Sequence, residues 1–147
     1  MSPFSETPQI CTFAFERYTK DKDQKKKQQA KIHHSFKENG GINMKVVFHI
    51  DELDKWVETS KNVANLLKDA PETDIVVSVN GSAITGYLDN KQSDFIQLEA
   101  VTFHACNNAM KANHVSPESL PGNVEVVPAG IIDLIQLQHA GYAYIKP

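Results

Sequence analysis

A chain of 147 residues, 41% hydrophobic and 22% charged, has the make-up of an ordinary soluble protein with room for one core. No apolar run approaches a membrane span, the N-terminus lacks the apolar stretch of a signal peptide, and there are only two cysteines. A reduced, cytoplasmic setting without a membrane partner is therefore expected. The net charge of -3 is unevenly spread: residues 1–43 carry eight Lys/Arg against five Asp/Glu, residues 44–147 seven against thirteen. That acidic balance argues against a nucleic-acid groove in the larger part.

Residues 1–43 read as a leader, either flexible or a solvated helix. Their apolar cluster Ile10-Cys11-Thr12-Phe13-Ala14-Phe15 is followed by Lys20 to Gln29, which has nothing to bury and cannot recover its ordering entropy. His33-His34 lacks further ligands at zinc-like spacing, so no metal site is expected. Asn39-Gly40-Gly41-Ile42-Asn43 stands directly before Met44, after which a well-patterned strand begins. Adjacent glycine codons can resemble a bacterial ribosome-binding sequence, so Met44 is read as the natural start. A genuine Gly-containing linker is the alternative.

From Met44 onward strands alternate with helices. Lys45 to Ile50 is a short apolar run of the kind buried in parallel sheets, and Asp51-Glu52-Leu53-Asp54 ends it with carboxylates suited to a helix start. Trp56, Ser60, Val63/Ala64 and Leu67 recur at helical spacing, and Pro71 closes that region. Asp74 to Val79 is a second strand, stopped by Asn80-Gly81. Ser82 to Asn90 reads as a turn or single helical turn, and Ser93 to Ala100 as a helix. Val101 to Cys106 alternates as a third strand, and Asn107 to Ala112 opens a short helix. Val115 to Gly122 is a loop, Val124 to Val127 a fourth strand, and Pro128-Ala129-Gly130 the turn beyond it. Ile131, Leu134, Ile135 and Gln138 mark a last helix stripe, with Gly141 as its C-cap and Tyr142 to Ile145 as the last strand. This alternation predicts a mostly parallel five-stranded sheet covered on both faces, a three-layer α/β/α fold.

In such a sheet the carboxyl ends of the strands share one edge, where open α/β folds bind ligands. That edge gathers His49, Asp51, Asn80, Gly81, Cys106, Asn107 and Asn108, together with Gly130. Cys106 is the expected reactive group, because backbone N–H groups at a helix start favour a thiolate over a thiol. His49 could become its neighbour and support the thiolate, or be a satisfied core histidine. Asp51 and Glu52 could serve the helix start alone, and Asn107 or Asn108 could cap the next helix. There is no GxGxxG, no GxxxxGK[ST] and no CxxC, so no nucleotide, cofactor or metal is expected.

Lys45-Val46-Val47-Phe48-His49-Ile50-Asp51-Glu52, Ala105-Cys106-Asn107-Asn108 and the ending Gly141-Tyr142-Ala143-Tyr144-Ile145-Lys146-Pro147 resemble the DsrE/DsrF-like (YchN-like) family, in its little-characterised branch of small single-domain proteins. The resemblance covers residues 44–147 and none of the leader. It implies the three-layer α/β/α fold and a homotrimer or homohexamer. In sulfur-relay members the matching cysteine accepts and passes on persulfide sulfur, which implies a sulfur donor and an acceptor protein. The flanks depart: relay members follow that cysteine with small residues, then arginines and a glycine, whereas here Asn107-Asn108 and Lys111-Ala112-Asn113 follow. Two functions stay open: a persulfide carrier or sulfurtransferase acting through Cys106, and a non-catalytic oligomer binding a small ligand or metal, with Cys106 as lining.

Overall fold

The computed structural model describes residues Met44–Pro147, together with Gln24 and Lys27, two exposed helical positions. The remaining expectations for residues 1–43 (a mobile leader, Cys11, His33-His34) lie outside the described residues. The chain divides between Ile42 and Asn43.

Five strands form one sheet: β1 (Lys45–Ile50), β2 (Asp74–Val79), β3 (Val101–Cys106), β4 (Val124–Val127) and β5 (Ala143–Ile145). Their order is β4-β3-β2-β1-β5, and every pairing is parallel. The apolar runs of β1 and β2 are buried almost throughout, as strands covered on both faces must be. From Met44 onward, four α-helices accompany them: α1 (Lys55–Asp69), α2 (Ser93–Ile96), α3 (Asn107–Ala112) and α4 (Gly130–His139). The expected turn after β2 is a 3-10 helix over Gly81–Leu88, and the helix expected to reach Ala100 ends at Ile96. No helix among the described residues is long and apolar enough to cross a membrane.

The two faces of the sheet are unequal. On one, Phe48, Ile50, Val77, Val79, Phe103 and Ala105 meet Trp56, Val63, Ile84, Phe95 and Met110 in the main core. Trp56 is fully buried there, and its indole N–H donates to the Ala83 carbonyl at 2.9 Å. A Cβ on Gly86 would stand 2.1 Å from that indole nitrogen, so only glycine fits. The inward side of α1 is Trp56, Thr59 and Val63, whereas Ser60 is half-buried and Ala64 exposed. Thr59 takes a buried position because its hydroxyl donates back to the Lys55 carbonyl at 2.8 Å.

The other face carries a smaller core, Val47, Val76 and Leu134 with Leu137 and Tyr142, under helix α4. Here the sequence pattern misleads. Ile131, Ile132 and Ile135 point outward, 63%, 56% and 51% exposed, while Asp133 faces the sheet beside Leu134. Gly141 closes α4 as expected, at φ +91, with its N–H on the Gln138 carbonyl.

Candidate functional site

The carboxyl ends of the strands place most of the expected residues along one edge. Cys106 ends β3 and occupies the N-cap position of α3, as its strand-to-helix pattern implies. Its sulfur does not serve that helix. Sγ instead accepts the backbone N–H of Gly130 at 3.1 Å, the first residue of the ten-residue α4. That helix has no side-chain cap at Ala129, so the sulfur takes up an N–H that helix geometry leaves without an internal partner. Cys106 is 5% exposed. A Cβ on Gly130 would come within 3.1–3.3 Å of Asn80 and the Cys106 Cβ, so glycine permits this approach.

His49 does not meet Cys106. The sheet order puts β2 between β1 and β3, and each strand adds about 4.8 Å. The ring is held at both nitrogens instead: Asn80 Oδ1 lies 3.0 Å from Nε2 and the Tyr144 hydroxyl 2.7 Å from Nδ1. A ring with its proton on Nε2 satisfies both, with Tyr144 donating. Tyr144 thus belongs to this edge although sequence reading assigned it no role. Its signal was present, since β5 pairs with β1 and Tyr144 stands opposite Val47, on the face that also carries His49.

Asp51 is not at a helix start. Helix α1 begins three residues beyond Glu52, and Asp51 Oδ2 instead accepts the Lys146 ammonium at 2.7 Å. That bond holds the Asp51 carboxyl below its ordinary range, against partial burial. Gly81 adopts φ +54, and a Cβ there would stand 2.6 Å from the Asp51 carbonyl oxygen. Asn107 and Asn108 are the first two residues of α3 rather than its cap, and neither supplies a side-chain capping bond. Asn108 is exposed.

A second polar cluster lies on the same sheet face, and sequence reading missed it. The Ser78 hydroxyl donates to Asp133 Oδ2 at 2.7 Å, and His104 Nδ1 stands 2.9 and 3.0 Å from the two Asp133 oxygens. Beyond, His104 Nε2 is 3.8 Å from the exposed Glu125 carboxylate. The trio is not a nucleophile triad, because Ser78 bonds the carboxylate and not the imidazole. A charged residue inside the run Ile131-Ile132-Asp133-Leu134-Ile135 was the signal available.

No three His, Cys, Asp or Glu side chains gather as a metal-ligand set among the described residues. Two hollows, of about 320 and 470 Å³, open elsewhere: one beside Tyr87, Ser93 and Leu120, the other beside Gln97, Val101 and Asn123. Neither touches Cys106. The chemistry at this edge is that of a shielded sulfur facing a helix N-terminus, with a hydrogen-bonded His49 beyond Asn80.

A protein of unknown function from Methanobacterium thermoautotrophicum, MTH1491, is among the similar solved structures. It is 29% identical, with a TM-score of 0.64, over 71% of this chain and 99% of that one. No curated protein matches. The model of the DsrE/DsrF-like family matches residues 90–147, the segment that carries Cys106, Gly130 and Asp133. With that match and the parallel three-layer α/β/α architecture, the resemblance to the DsrE/DsrF-like family read from the sequence is borne out over residues 90–147.

Proposed function

We propose that the protein carries sulfane sulfur on Cys106. The observation that supports this reading is the Gly130 N–H donated to Sγ at the N-terminus of α4, an arrangement suited to negative charge on sulfur. In the reaction, the Cys106 thiolate attacks the outer sulfur of a donor persulfide R–S–SH. The new S–S bond forms on Cys106 as the donor's S–S bond breaks, leaving Cys106–S–SH and R–S⁻. An acceptor thiolate then attacks the same outer sulfur and releases the Cys106 thiolate, so each step conserves atoms and charge and needs no oxidant. Donor and acceptor are proteins or small thiols of a sulfur relay in the cytoplasm, as the family resemblance suggests.

The working form is a homotrimer or homohexamer in this reading. The exposed Ile131, Ile132 and Ile135 of α4 supply an apolar face immediately after Gly130. A second reading, a non-catalytic binding protein in which Cys106 is lining, draws on the 5% exposure of that residue. Intact mass after exposure to a persulfide donor separates the two. The carrier gains one sulfur atom that Cys106→Ser does not gain; a protein that gains none is a binding protein.

A further inference from the structure

Cys106 and Gly130 meet only if α4 sits at one height on the sheet, and α4 has little apolar purchase there. Its inward apolar contacts are Leu134 and Leu137 against Val47, Val76 and Tyr142. The remaining anchor is polar. Asp133, 7% exposed, stands three residues after Gly130 on α4, and His104 stands two residues before Cys106 on β3. The spans are comparable, about 4.5 Å along the helix and about 6.6 Å along the strand. Helix and strand are therefore joined by two rungs: Gly130 N–H to Cys106 Sγ, and His104 Nδ1–H to the Asp133 carboxylate. Ser78, the cross-strand neighbour of His104, holds the same carboxylate from β2 and prevents it from swinging about a single bond.

We infer that His104 and Asp133, steadied by Ser78, are positioning residues that set the N-terminus of α4 against the Cys106 sulfur. The inference rests on the sulfur-carrier reading for its consequence and on geometry alone for its mechanism. Glu125, the other charged group facing His104, lies at 3.8 Å on the exposed side and leaves Nδ1 committed to Asp133. A lost rung frees α4 to slide, and the Gly130 amide then exchanges Sγ for water.

The test uses the full chain carrying Cys11→Ser, with His104→Leu and His104→Asn added separately. Asparagine keeps a donor where Nδ1 stands; leucine does not. Two quantities are read: hydrogen exchange of the Gly130 amide relative to the amides of β2, and the rate at which Cys106 gains sulfur from a small-molecule persulfide. His104→Leu is expected to speed Gly130 exchange about tenfold beyond any change in β2, and to slow sulfur gain by a similar factor. His104→Asn is expected to restore both. Should His104→Leu not fold, Ser78→Ala gives the same signs with smaller amplitude. Gly130 exchange that only follows β2, or sulfur gain that is equal in all variants, overturns the inference. If the parent gains no sulfur while Gly130 exchange still follows His104, the positioning geometry stands and the sulfur-carrier reading fails.

Discussion

Replacing Asp133 by alanine strands two donors at once. Ser78 is 1% exposed and its hydroxyl donates to Asp133, so without that carboxylate its desolvation becomes uncompensated. His104 Nδ1 loses both carboxylate oxygens, which leaves Glu125 at 3.8 Å as its ring's remaining charged neighbour. Each stranded donor costs about 1–3 kcal/mol, and removing a buried carboxylate relieves part of that. A net loss of about 3 kcal/mol is expected, a large share of the stability of a domain this size. It corresponds to a fall in Tm of about 12–20 °C. Urea unfolding at fixed protein concentration measures it, with the slope compared so that a change in cooperativity is not mistaken for one in stability. The double variant Ser78→Ala, Asp133→Ala sharpens the reasoning. Once the carboxylate is gone, deleting the hydroxyl should recover about 1 kcal/mol. A single-variant loss below about 1 kcal/mol, or strictly additive effects, would refute a buried, mutually satisfied network.

Three further outcomes follow from the same structure. Gly86→Ala drives a methyl into the Trp56 indole and breaks its bond to Ala83, so a loss of about 3 kcal/mol or more is expected by urea unfolding, and a neutral result would contradict the packing. The Asp51 carboxyl is lowered by Lys146, so the pair stabilises the fold above the ordinary carboxylate pKa of 3.8 and the contribution disappears as pH falls through the lowered value. Thermal melts of wild type and Lys146→Met should accordingly differ at neutral pH and converge in acid; a gap that widens in acid reverses the sign argued here. Ile131→Glu with Ile135→Glu, both outward on α4, should leave the far-UV circular dichroism of the fold unchanged while reducing the mass seen by light scattering, with a lower melting temperature because assembly stabilises the native state. An unchanged assembly would move the contact to another face.

The strands were legible because their signals are local. Lys45–Ile50, Asp74–Val79, Val101–Cys106 and the helix Asn107–Ala112 fall where apolar runs and their breaks put them. The orientation of α4 was not legible. Apolar residues on both of its sides allow more than one buried stripe, and the side chosen is the one that brings Asp133 to Ser78 and His104. The prominence of Cys106 was read from a strand meeting a helix, and that junction is where it lies. Gly130 was legible as a residue of the same edge but its bond to the sulfur was not, because Gly130 is 24 residues away and is brought back by the pairing of β3 with β4. Of the two readings open for His49, the hydrogen-bonded core histidine is the one seen and the neighbour of Cys106 is not, for the same reason. Strand order is a tertiary property, and β2 intervenes.

The claim that Cys106 carries sulfur, and does not merely bind it irreversibly, is tested most directly by a single turnover. The Cys11→Ser protein is loaded from a small-molecule persulfide, freed of donor and mixed with an excess of acceptor thiol, and its intact mass is followed in time. The account predicts that one sulfur atom is gained at Cys106 and then lost completely to the acceptor, with the thiol regenerated and ready for a second loading. A loaded sulfur that no acceptor removes, or a protein that gains none while Cys106 remains a free thiol, would contradict it.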